Sequence, residues 1–208
     1  MQKLDLTICE ASEAVGLVSF YDLTSIPYHA VISIEHPGAV NITTYRDGRS
    51  PAAQGRAPRL AEEVDPAWKD RQLILTCWDT EFEYDRGIVP PDKTIVTDAL
   101  AFLKKLAAEY GEPLRVLIHC QAGKSRSTGL ALVLLNQVNK MEPREAVKEL
   151  LLLRPIASPN LAIVRHGENG EALIEAVLEQ ERVVARRMLH VGQNPALKVR
   201  PKEIKLGD

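Results

Sequence analysis

Two apolar periodicities take turns along this chain. Leu4 to Cys9 alternates apolar with polar positions and predicts a first strand. Glu10 to Phe20 reads as a short helix or a surface turn. Ala30-Val31-Ile32-Ser33-Ile34 is a strong strand signal, closed by His36-Pro37-Gly38. Tyr45 to Leu60, rich in Arg, Gly, Pro and Ala, reads as loop. Arg71 to Trp78 is the next strand. From Asp92 to Tyr110 the period changes. Val96, Ala99, Leu103, Leu106 and Tyr110 share one helical face, Asp92 stands where an N-cap belongs, and Gly111 is a stop. Arg115 to His119 predicts the central strand. Ser127 to Val138 is apolar nearly all round, as a buried helix would be. Helices follow from Pro143, suited to a first turn, to about Leu152, and from about Glu171 to Leu189.

This alternation predicts an α/β fold: a central, mainly parallel sheet of about four to five strands with helices on both faces. Residues 1–192 read as one domain, with its core at about 30–176. Residues 193–208, carrying Lys198, Arg200, Lys202 and Lys205, read as a flexible, mildly basic tail. No internal repeat is present.

Composition narrows the function classes. With 45% hydrophobic residues the chain can bury a core, and a net charge of −2 argues against a dedicated nucleic-acid binder. No apolar run reaches the roughly 18 residues of a membrane span. The start, Met1-Gln2-Lys3-Leu4-Asp5, lacks the apolar core of a signal peptide. Three scattered cysteines do not make a secreted disulfide framework. A cytoplasmic location is expected. The histidines (His29, His36, His119, His166 and His190) show no metal-ligand spacing, so neither metal nor cofactor is expected.

The candidate chemistry lies in His119-Cys120-Gln121-Ala122-Gly123-Lys124-Ser125-Arg126-Ser127. A thiol on a tight turn between a buried strand and a helix start faces unpaired backbone N–H groups and the positive end of the helix dipole. Such a place binds tetrahedral oxyanions. The segment Gln121 to Arg126 is the predicted phosphate cradle. Gly123 permits the unusual backbone angles, and the planar fork of Arg126 suits two phosphate oxygens. The same positive field favours thiolate over thiol at Cys120.

HCQAGKSRS resembles the signature of the cysteine-dependent protein tyrosine phosphatases, especially the compact dual-specificity type. The resemblance spans roughly Ala30 to Ala176. A later echo is Arg154-Pro155-Ile156-Ala157-Ser158-Pro159-Asn160, where a Pro-Asn pair opens the next helix. It implies a tyrosine-phosphatase-like fold and a phosphocysteine mechanism acting on phosphotyrosine proteins. Cys120 would be the nucleophile and Arg126 the phosphate clamp. Ser127 would help the thiolate to leave, and His119 would order the loop. The family also needs an upstream Asp as general acid. Asp79, at the end of the strand Arg71 to Trp78, is favoured over Asp85, in a charged loop, and Asp92, already explained as a cap. Asp79 stands somewhat farther upstream than in small members. The lack of extra modules leans toward a bacterial member.

Some readings stay open. The Gly123-Lys124 step is similar to that of phosphoinositide phosphatases, so a phospholipid headgroup is an alternative substrate. A non-catalytic phosphate-binding module is an alternative of another class, and sulfur or arsenate transfer a third. Cys77 is a core thiol or a redox partner for Cys120, and Cys9 a core thiol. Asn160 caps or pins the turn after Pro159. Arg154 is assigned a structural role, and Arg46, Arg49, Arg56 and Arg59 a solvated surface.

Overall fold

In the computed structural model, which describes residues 3–10, 14, 28–37, 57, 59–83, 88–110 and 113–193, burial along each strand follows its place in the sheet. β1 (Leu4–Glu10), β2 (Ala30–Glu35), β3 (Gln72–Thr76) and β4 (Leu114–Cys120) form one four-stranded sheet in the order β1-β4-β2-β3, with every pairing parallel. β2 is buried at every position and β4 at all but one, so the two most apolar runs take the centre. β1 and β3 carry the polar positions and lie at the edges. Asn139 blunts the start of the β1 edge: its side chain accepts from Leu4 N at 2.7 Å and donates to Leu4 O at 3.0 Å.

The two faces are covered unequally. Leu6, Ile8, Ile32, Ile34, Val116 and Ile118 share the face packed by the long helices. These are α2 (Thr94–Tyr110), α3 (Arg126–Gln137) and α4 (Pro143–Leu153); the short α5 (Leu161–Arg165) and the long α6 (Gly170–Gln193) pack outside them, on α3 and α4. Leu130 to Leu134 of α3 are fully buried, which is why that stretch reads as apolar all round. Truncating one of these leucines to alanine is worth about 2–5 kcal/mol of stability. On the opposite face Cys9, Val31 and Leu117 meet Leu60 and Trp68.

That second face holds elements not anticipated. A one-turn helix, α1 (Leu60–Glu63), and a 3-10 turn (Pro66–Trp68) stand in a stretch without helical periodicity. Asp65 caps the turn by accepting from Ala67 N at 2.8 Å, and Trp68 is wholly buried. So short a helix does not form alone; docking of its apolar side chains holds it. Three further departures are local. β3 ends at Thr76 rather than Trp78, whose ring packs edge-on against His36 with centroids 4.1 Å apart. Tyr110 is 38% exposed rather than buried, and stacks on His29 at 5.4 Å. The last helix runs on to Gln193.

Asp92 is the cap of α2, accepting from Thr94 N at 2.8 Å. Among the described residues no helix is long and apolar enough to cross a membrane. Glu10 to Phe20 lies almost wholly outside the described residues. So do the loop with Arg46, Arg49 and Arg56, Asp85, and the tail after Gln193.

Candidate active site

β4 ends at Cys120 and α3 begins at Arg126, so residues 121–125 must reverse the chain within a few ångströms. Gly123 makes this possible. Its φ is +61°, and a Cβ there would lie 2.5 Å from Cys9 O, at the end of the neighbouring strand. Any side chain meets both a left-handed backbone and a clash with main chain. The loop carbonyls are engaged outward. Arg154 Nε donates to Gly123 O at 3.2 Å and Ser158 N to Lys124 O at 2.8 Å. The Thr128 hydroxyl bonds to Lys124 O and, at 2.9 Å, to Ser125 O, which also accepts from Asn160 N at 3.2 Å. Across a planar trans peptide, C=O and the following N–H point in opposite directions. The N–H groups of Lys124, Ser125 and Arg126 therefore point to the inner side of the loop. No side chain caps the α3 start. The arrangement suits an anion.

Cys120 is 2% exposed and forms the floor, with its Sγ 3.2 Å from the Ser127 hydroxyl. Arg126 is buried beside it. Its Nη1 donates to Cys77 O at 3.2 Å, and its Nε lies 3.6 Å from Asp79 Oδ2, near enough for an ion pair but without a hydrogen bond. A buried guanidinium so thinly partnered is a ready site for anion oxygens. Gln121, Ala122 and Lys124 are exposed at the rim.

Asp79 is brought to this loop. Its Oδ1 accepts from the Ser125 hydroxyl at 2.6 Å and from Asn160 Nδ2 at 3.3 Å. Of the three acidic candidates, Asp92 serves α2 and Asp85 lies outside the described residues. The link from Asn160 to Asp79 was not anticipated; the only signal in the chain was the Pro159-Asn160 pair.

His119 faces the other side of the sheet from Cys120. Its Nε2 is 2.8 Å from the Ser33 hydroxyl, which accepts from Gln72 Nε2 at 2.9 Å. Leu60 N donates to Gln72 Oε1 at 2.9 Å and so sets the orientation of that amide. With one acceptance already made, the Ser33 hydroxyl can either donate its proton to His119 Nε2 or accept from it. Burial pushes this imidazole down to about 4, against a smaller upward pull from the Cys120 main chain. His119 thus supports the end of β4 from behind, through β2 and β3.

The three cysteines form no disulfide. Burial pushes the Cys77 thiol up to about 12, outweighing the pull of Arg126. Cys9 belongs to the second apolar cluster. Arg154 serves the loop main chain, in keeping with a structural role. Among the described residues no three His, Cys, Asp or Glu side chains are grouped to hold a metal ion.

No protein-family model matches the chain, and no curated protein matches it. Solved structures do. The human tyrosine phosphatase-like serine/threonine/tyrosine-interacting protein is 16% identical, with 86% of this chain and 93% of that one covered at a TM-score of 0.51. DUSP15 is 20% identical, covering 88% and 91% at 0.49. PTPMT1 is 18% identical, covering 89% and 98% at 0.48. A four-stranded parallel sheet whose β4 runs into the cysteine-bearing loop, together with the first of these likenesses, shows that the chain has the tyrosine-phosphatase-like α/β fold.

Proposed function

We propose that the chain is a phosphomonoester hydrolase that works through a phosphocysteine intermediate, without a metal, on phosphotyrosine proteins. The observation that carries this is the convergence of Asp79, Ser125, Arg126 and Cys120 on one loop whose N–H groups point inward. The Cys120 thiolate attacks phosphorus in line with the leaving oxygen. As the S–P bond forms and the P–O bond breaks, Asp79 gives its proton to that oxygen. Arg126 and the N–H groups of Lys124, Ser125 and Arg126 hold the other phosphoryl oxygens where charge gathers. Water then attacks the phosphocysteine, Asp79 takes a proton from it, and the S–P bond breaks. The Ser127 hydroxyl, 3.2 Å from Sγ, donates to the departing thiolate. His119 touches none of the reacting atoms in this scheme; it orders the loop.

The test is phosphate release from an aryl phosphate by the purified chain. Cys120→Ser should abolish it, and turnover that persists in that variant rejects the mechanism. A non-catalytic phosphate-binding module would be expected to lack the Cys, the Arg or the acid, and this chain keeps the first two. The exposed Lys124 favours a second reading, a phospholipid headgroup as substrate, because its ammonium adds charge at the rim. Comparing phosphotyrosine, phosphoserine and phosphoinositide substrates separates the readings. Cys77 is proposed as a redox partner that seals oxidised Cys120.

A further inference from the structure

We infer that Asn160 is a positioning residue for the proton transfer at Asp79, deciding which carboxyl oxygen carries the proton; this rests on the phosphatase reading above. Asn160 is 2% exposed and every polar group of its side chain is committed. Its Oδ1 accepts from Ile163 N at 3.1 Å and caps α5. Its Nδ2 donates to Asp79 Oδ1 and to Thr80 O, both at 3.3 Å. The cap fixes the amide: turning it over would put an NH2 against the Ile163 N–H. Asn160 therefore presents a donor, and only a donor, to Asp79.

That one-way partner breaks the symmetry of the carboxyl group. Oδ1 already receives Nδ2–H from Asn160 and the hydroxyl of Ser125 at 2.6 Å. Ser125 can reverse its hydroxyl when Asp79 is protonated, because a hydroxyl both donates and accepts. Asn160 cannot. A proton on Oδ1 would face the amide hydrogen, whereas Oδ2 accepts no hydrogen bond, Arg126 Nε lying beyond that range, so the proton is assigned to Oδ2. Oδ2 is the oxygen turned toward Arg126, 3.6 Å from Nε, where a phosphoryl group would be held. Asn160 also binds the acid segment to the loop, since its main-chain N donates to Ser125 O at 3.2 Å. A second tether, Leu161 N to Glu81 Oε1 at 2.9 Å, does not involve the Asn160 side chain. Variants at 160 therefore keep one attachment between α5 and the acid segment.

The experiment uses the full chain and two esters, phenyl phosphate and 4-nitrophenyl phosphate, the second of which needs little protonation to leave. Asn160→Ser keeps a capping oxygen for Ile163 N and loses the donor. Asn160→Asp keeps the cap and sets a second carboxylate against Asp79. Both should lower kcat for phenyl phosphate at least about tenfold more than for 4-nitrophenyl phosphate. Both should move the alkaline limb of kcat/KM to higher pH, Asn160→Asp more so, because a donor to the charged form is lost or replaced by a like charge. Asp79→Asn serves as the reference for loss of the acid. If Asp79→Asn shows the leaving-group dependence while both Asn160 variants keep the wild-type ratio and limb, Asn160 is a helix cap only and the inference is overturned. An equal loss on both esters overturns it too. If Asp79→Asn shows no such dependence, the acid assignment itself has failed.

Discussion

The Ser125 hydroxyl donates a 2.6 Å hydrogen bond to Asp79 Oδ1, joining residues 46 positions apart. It is spent on the acid rather than on capping α3, whose first N–H groups keep no side-chain partner. One short contact thus brings the acid segment to the loop and leaves the helix start open to an anion.

Asp79→Ala is expected to lower kcat on an unactivated aryl phosphate by about 10² or more. Asp92→Ala should leave the rate near wild type while lowering stability by about 1 kcal/mol through loss of a cap. Steady-state rates and thermal unfolding of both variants check this. Equal rate losses would move the acid role away from Asp79.

Gly123→Ala places a Cβ 2.5 Å from Cys9 O on a backbone with φ of +61°. A conformation of this kind costs of order 1–3 kcal/mol for a residue with a side chain, before the clash is relieved. The variant should be less stable by urea unfolding. It should also be inhibited far less by inorganic phosphate, because relieving the clash pulls the loop out of shape.

His119 makes stability depend on acidity. Its folded-state value of about 4 lies below the usual 6.5, so the native state prefers the neutral ring. The contribution is complete above pH 6.5. It is lost as pH falls from there toward 4, where the unfolded chain binds a proton that the folded one refuses. Its full extent is roughly 3 kcal/mol. Urea unfolding between pH 7 and pH 4 should show that slope, and His119→Gln should flatten it.

Burial keeps Cys77 a thiol at neutral pH, so any disulfide with Cys120 should form slowly after peroxide has converted Cys120 to the sulfenic acid. The Cys77 sulfur would displace hydroxide from the oxidised sulfur, with loss of water. Dithiothreitol should then restore the wild type, whereas Cys77→Ser should over-oxidise beyond recovery. Equal recovery of the two proteins excludes the pair.

The strands and long helices were readable from periodicity, because each reports the burial of its own neighbours along the chain. β2 and β4 carry the most apolar of the four strand sequences, in keeping with their central places and near-complete burial. The loop chemistry was readable for the same reason: Cys120, Gly123 and Arg126 lie within seven consecutive residues, and a strand end and a helix start fall on either side. α1 and the Trp68 turn were not, since too few residues carry any period and docking supplies their stability. Tyr110 kept its helical phase but met His29 from another element instead of the core.

Resemblance to a strand-then-Asp segment proposed Asp79, but only folding set its carboxyl against Ser125, Asn160 and Arg126. In the same way the sequence named His119 as a neighbour of Cys120, and sheet register turned it away, toward Ser33. A contiguous motif states which groups are available. Which atom faces which depends on the packing of segments far apart in the chain, where no local pattern records the partner.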